Sequence, residues 1–203
     1  MATRDPQRTR ERILAAALAE FLAHGFAGAR VNAIARRARI NKRMLYHYFG
    51  DKQGLFREIL RRKLAERAAW LAAEPENPEE ILAYWFDLAR GDMDWIRLLE
   101  WEALQVGSGK VIDEERRAGL FASALARLRR GQERGRLTRD LDGRQMLLSM
   151  MALTLYPLAF PQITRLVTGL SVTDPKFQKS RLEFLHQFAR AFRPASVRGG
   201  TRG

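Results

Sequence analysis

Apolar residues recur every three or four positions through almost all of this 203-residue chain, and nowhere do they alternate singly for long. That spacing lines one side of a helix, whereas the inward positions of a half-buried strand repeat every two residues. The chain therefore predicts an all-α protein. About nine helices follow from where the pattern starts and stops: residues 7–24, 31–38, 42–48, 52–73, 78–90, 93–106, 111–134, 143–168 and 175–193. Gly25, the "PENP" break, Gly91, the "GSG" at 107–109 and the stretch from Gly135 to Gly143 separate them. The tail 194–203, rich in Gly and Arg, is expected to be disordered.

With 46% hydrophobic residues the chain has the material for a core. Its 36 Lys and Arg against 23 acids give a net charge of +13, which suits an anionic partner without saying which kind. The charge is uneven. Residues 1–52 hold eleven basic side chains and four acids, whereas residues 74–102 hold nine acids and two basic residues. A localised basic head points to a defined anionic surface rather than to general stickiness. Cysteine is absent, and His24, His47 and His186 are far apart, so the sequence offers no metal site. It shows no Gly-rich phosphate loop and no nucleophile elbow, so no catalytic residue and no cofactor is expected. The longest apolar run, "MMALTLYPLAF", is too short to span a bilayer, and the N-terminus has no continuous apolar segment. A cytoplasmic protein with no membrane partner is the expectation.

Helices 31–38 and 42–48 are joined by only Arg39 to Asn41, a connection tight enough for a helix-turn-helix. Asn41 is placed to cap the second helix. Val31, Ile34, Ala35, Ala38, Ile40, Leu45 and Phe49 account for packing. Lys42, Arg43, Met44, Tyr46, His47 and Tyr48 are left over, a mixture of cations and aromatic rings on one short helix. A DNA major groove accommodates both, because cations meet phosphates or guanine edges and tyrosine hydroxyls donate to phosphate oxygens. A solvated basic face, or a basic module for RNA or a membrane surface, is the competing reading. Gel-shift competition among duplex DNA, RNA and anionic vesicles separates the three.

Residues 9–55 carry "RILAAALAEF", "HGF", "V..IARRA", "LYHYF" and "DK..L" in order. Together they resemble the DNA-binding domain of TetR/AcrR-type transcriptional regulators. The resemblance implies a three-helix head at 7–52 and a helical ligand-sensing and dimerisation domain at 53–193. It implies phosphate contacts from Tyr46, His47, Tyr48 and Lys52 and from the start of the second helix, Arg30 and Asn32. This sequence departs from the pattern in three places. Arg30 stands where the family often has a capping Thr, Arg39 where it often has Gly, and Arg43-Met44 where it often has Gly-Thr. A left-handed Arg39 would carry strain of roughly 1 kcal/mol.

The resemblance also implies a homodimer on a pseudo-palindromic double-stranded operator. Helices 143–168 and 175–193, apolar round much of their circumference, would join the subunits. Pro157 and Pro161 are expected to kink or interrupt the eighth helix. The long body suggests a repressor tuned by a small, largely apolar ligand. Candidate ligand residues are Trp85, Trp95, Trp101, Glu102, Gln105, Phe121, Met150, Thr154 and Tyr156, although large aromatic and Met side chains are more often core than ligand box, and acids such as Glu102 are more often at the surface or paired with an Arg. A solid core and a constitutive DNA-binding protein is the alternative.

Overall fold

The computed structural model describes residues 5–75, 77–107 and 109–194, apart from the side chains of 70–72 and 78. The expected tail lies, from residue 195 onward, outside the described residues. Among the described residues there are ten α-helices, one 3-10 turn and no strand. The helices are α1 (Pro6–Gly28), α2 (Val31–Arg37), α3 (Lys42–Phe49), α4 (Lys52–Ala72) and α5 (Pro78–Gly91). They continue with α6 (Met93–Val106), α7 (Glu114–Glu133), α8 (Gly143–Ala159), α9 (Pro161–Thr168) and α10 (Pro175–Ala189), before the 3-10 turn Arg190–Phe192.

The chain forms two compact units. One comprises Met1–Ala69 with Arg97–Glu114, and the other Trp70–Ile96 with Glu115–Gly203. This partition differs from a division at 52/53: most of α4 and the C-terminal part of α6 belong to the first unit.

In the first unit α1 packs on α2, and α2 on α3. Ile13, Phe21, Ile34, Leu45, Leu55 and Leu60, spaced for inward faces, are fully buried. Phe21 and Phe56 meet edge to face at 5.0 Å, and Phe26 closes on Phe56 at 5.2 Å. Polar side chains tie α1 to α4: Arg10 reaches Glu58 at 2.7 Å and Arg62 reaches Glu11 at 2.5 Å. The hydrogen bond from Arg62 holds the Glu11 carboxyl below its ordinary range. The first helix does not stop at residue 24. It breaks at Gly25 and resumes to Gly28, so glycine acts here as a hinge inside α1 rather than as its terminator.

In the second unit α5 packs on α8 and α10. Its core holds Leu82, Phe86, Ile96, Leu128, Met150 and Leu185. Asn77, Asp142 and Asp174 cap α5, α8 and α10 by accepting first-turn N–H groups. The helix expected over 143–168 is two helices, α8 and α9, bent by 88°. Pro161 begins α9, where a missing N–H costs nothing. Pro157 lies inside α8 and gives the Leu153 carbonyl no donor. Arg181 of α10 donates to that carbonyl at 2.5 Å, and the Thr164 hydroxyl donates to the Pro157 carbonyl at 2.8 Å. Among the described residues no single helix is long and apolar enough to cross a membrane.

Candidate nucleic-acid interface

The helix-turn-helix is held by groups outside the apolar pattern. Arg30 precedes α2 and makes no side-chain cap, as expected where a capping Thr is missing. Glu20 of α1, itself buried, instead accepts the Arg30 N–H at 3.2 Å. At the other end of α2, the Ile40 N–H reaches back to the Ala35 carbonyl at 3.0 Å and the Arg39 N–H to the Arg36 carbonyl at 3.1 Å. This double closure of a helix C-terminus demands a left-handed residue at its centre. That residue is Arg39, with φ 52°. Arg12 of α1 reinforces the turn by donating to the carbonyls of Ala38, at 3.1 Å through Nε, and Arg39, at 2.9 Å.

Arg12 and Arg39 therefore form a coupled pair, which gives a direct expectation. Arg12→Gln should destabilise the fold by about 1–2 kcal/mol, as charge-assisted hydrogen bonds are lost. Arg39→Gly should relieve up to about 1 kcal/mol of left-handed strain. The double variant should lose less than the sum of the separate effects predicts, measured by urea unfolding of all four proteins. Strict additivity would show that Arg12 does not act through this turn.

Asn41 caps α3 as the sequence suggests, its side-chain oxygen accepting the Arg43 N–H at 2.9 Å. Leu45 is fully buried and anchors the helix, while Phe49 is half-buried. Lys42, Arg43, Tyr46 and His47 are exposed; Met44 and Tyr48 are half-buried. The Lys42 ammonium lies 5.7 Å from the Tyr46 ring centre, and His47 meets Tyr48 edge-on at 5.6 Å. Arg30 and Asn32 are exposed at the start of α2. Lys52 is more committed than its sequence position suggests. Its ammonium donates to the Ala29 carbonyl at 3.2 Å and stands 4.7 Å from the Phe26 ring centre, which ties α4 to the α1–α2 joint.

The structure gathers these nine residues within one unit: a short helix with a buried anchor, a cationic and aromatic outer face, and a neighbouring helix that presents its N-terminal end. Such an arrangement defines a DNA-binding protein of the helix-turn-helix class. Residues 13–59 match the family described as bacterial regulatory proteins, tetR family, and residues 78–190 match the tetracyclin repressor-like C-terminal domain. The chain belongs to the TetR family and is a DNA-binding transcriptional regulator.

The transcriptional repressor SCO4008 of Streptomyces coelicolor is 36% identical over 169 residues, covering 83% of this chain and 88% of that protein. The crystal structure of the regulator SCO4942 from Streptomyces coelicolor superposes with a TM-score of 0.76 at 28% identity, over 92% of this chain and 98% of that one. The ketosteroid regulator KstR2 of Mycobacterium tuberculosis shares the fold, with a TM-score of 0.67 at 20% identity over 96% and 97% of the two chains.

The candidate ligand residues are dispersed. Trp101, Glu102 and Gln105 belong to the first unit. Trp101 lies against Gly25, the Glu102 carboxylate is buried and accepts the Ile112 N–H at 3.0 Å, and Gln105 is exposed. The others belong to the second unit. Trp95 is buried, with the Arg117 guanidinium 5.9 Å from its ring centre. Thr154 is buried, but its hydroxyl is already bonded to the Met150 and Met151 carbonyls of its own helix. Phe121 and Tyr156 are 45% and 51% exposed, which puts them on the surface rather than in an internal cavity. Of these candidates, Trp85 and Met150 line a cavity of about 220 Å³ formed by described residues of this unit. Sequence reasoning missed two other members of its wall, Glu74 and Arg127, which form an ion pair at 2.9 Å. Glu74 immediately precedes the "PENP" break and Arg127 stands among several arginines, so neither carried a local signal.

Proposed function

We propose that this regulator is a homodimeric repressor that binds a pseudo-palindromic operator through residues 30–52 and answers to a small ligand held by the body that follows, residues 53–193. The observation that carries the reading is the outer face of α3, where Lys42, Arg43, Tyr46 and His47 stand exposed above a fully buried Leu45. Arg43 replaces the smaller residue common in the family and extends the groove-reading surface. Tyr46, His47, Tyr48, Arg30 and Asn32 hold phosphates, Met44 packs at the groove edge, and Lys52 serves both phosphate and the α1–α2 joint. Recognition helices of the two subunits would enter successive major grooves about 34–36 Å apart.

Dimerisation is supported by apolar side chains that the isolated subunit leaves in water. Leu148, Leu166 and Val167 are 62%, 71% and 79% exposed on α8 and α9, and Tyr156, Phe160, Ile163 and Phe184 are also exposed. The repressor SCO4008 supports the direction of control. Footprinting on randomised duplexes tests the reading. Arg43→Ala should relax base preference by about 1–3 kcal/mol, whereas Tyr48→Phe should weaken binding to all sequences alike. Unchanged affinity and selectivity in Arg43→Ala would remove Arg43 from the readout.

A further inference from the structure

The cavity between α5, α7 and α8 has an apolar side made by Ile81, Leu128, Leu147 and Met150. Against it stand four arginines, Arg127, Arg130, Arg134 and Arg136, and one acid, Glu74. The Glu74 side chain is only 6% exposed. One of its oxygens accepts the Trp85 indole N–H at 2.6 Å, and the other faces Arg127 at 2.9 Å. A carboxylate is buried without loss only where such partners replace water. The indole and the guanidinium thus form a seat for one carboxylate, and a residue of the chain itself fills it.

We propose that this cavity binds a small amphipathic carboxylate, whose head group takes the Trp85 and Arg127 partners now held by Glu74 while its apolar part lies on Ile81, Leu128, Leu147 and Met150. The proposal rests on the reading of the chain as a ligand-responsive regulator and names the ligand's chemistry. The charge balance selects an anion, since four guanidinium groups outnumber one carboxylate. The seat selects a carboxylate, because the donors are already spaced for one. The volume selects a small guest, on the order of ten non-hydrogen atoms, as it lies below the range of drug-sized sites. The exchange is isosteric and conserves charge at the seat. Its consequence falls on Glu74, which lies just beyond the end of α4: once displaced, it no longer fastens the α4–α5 connection to α5 and α7.

Calorimetric titration of the full-length protein with hexanoate, hexanamide and hexylammonium, and with benzoate, benzamide and benzylammonium, tests this. The carboxylates should bind at least about tenfold more tightly than the amides, and the ammonium compounds should not bind. Arg127→Gln should weaken carboxylate binding by about tenfold or more, and Glu74→Gln should strengthen it by removing the internal competitor. Melting curves establish that both variants are folded, and the Glu74→Gln result stands if Arg127→Gln is not. Equal binding of amide and carboxylate, tighter binding of ammonium, carboxylate binding indifferent to both substitutions, or no binding by any probe at millimolar concentration would each overturn the proposal. Operator gel shifts run in parallel separate the two readings. Carboxylate binding that leaves operator affinity unchanged supports the site and refutes ligand control through it. Operator affinity that responds to a compound whose binding ignores both substitutions refutes this site and leaves ligand control standing.

Discussion

Gly25→Ala is expected to destabilise the protein by about 2–6 kcal/mol and to remove most operator binding at 37 °C. Two independent causes combine. Gly25 has φ 67° and ψ 178°, a backbone conformation that is almost closed to residues with a side chain and costs about 1–3 kcal/mol. A Cβ there would also lie 2.7 Å from ring carbons of Trp101, and overpacking of this kind costs about 1–3 kcal/mol more. Gly25 is the break inside α1, and the short segment after it leads directly to Arg30 and α2. A shift at this point moves the residue whose N–H is held by Glu20, and with it the start of the helix-turn-helix. Urea unfolding monitored by circular dichroism measures the loss, and gel shift at several temperatures measures the consequence. In a Trp101→Ala background, where the ring is absent, Gly25→Ala should cost only the backbone part, since the loss from truncating Trp101 is common to both proteins compared. A Gly25→Ala protein within about 0.5 kcal/mol of wild type would show that neither the conformation nor the ring contact constrains the joint.

What the sequence disclosed about the reading head, and what it concealed, divides along physical lines. The spacing of Ile34, Ala35, Leu45 and Phe49 marked the inward faces, and Asn41 marked the start of α3, because capping and amphipathic packing are local in sequence. Arg39 was legible as a strained position only through the family resemblance, because it stands where that family often has Gly. Glu20 and Arg12 were not legible. Their partners are backbone groups many residues away, and a carboxylate or guanidinium that serves a distant N–H or carbonyl leaves no periodic trace. The same reason hid Glu74 and Arg127. The large aromatic residues of the body were visible as bulk without direction. In "RQMLLSMMALTLY" apolar residues circle the whole helix, so periodicity did not separate the side toward Met150 and Leu158 from the side toward Leu148 and Tyr156. The interruption of the eighth helix was legible because proline acts on its own backbone. The Arg181 bond to the Leu153 carbonyl, which satisfies the group that Pro157 orphans, came from another helix and was not.

That second side gives the other large expectation. Leu148→Glu combined with Phe184→Glu should convert the proposed dimer into a folded monomer and lower operator affinity by about 10²–10⁴-fold, the loss that follows when two half-sites are no longer bound by one linked pair of heads. Both residues are substantially exposed in the isolated subunit, at 62% and 42%, so the substitutions leave its core intact. In a two-fold dimer each substitution occurs twice, which sets four carboxylates into an apolar contact, where an unpaired charge is strongly disfavoured. Sedimentation equilibrium at micromolar concentration reads the assembly, circular dichroism confirms that the monomer is folded, and gel shift on full and half operators reads the function. The monomer should bind a half operator as well as the wild-type protein does, because α3 and its supports lie wholly within the first unit. A double variant that stays dimeric would place the interface elsewhere on the chain. A monomer that binds the full operator with undiminished affinity would show that the two heads act independently, and the requirement for a palindromic site would go with it.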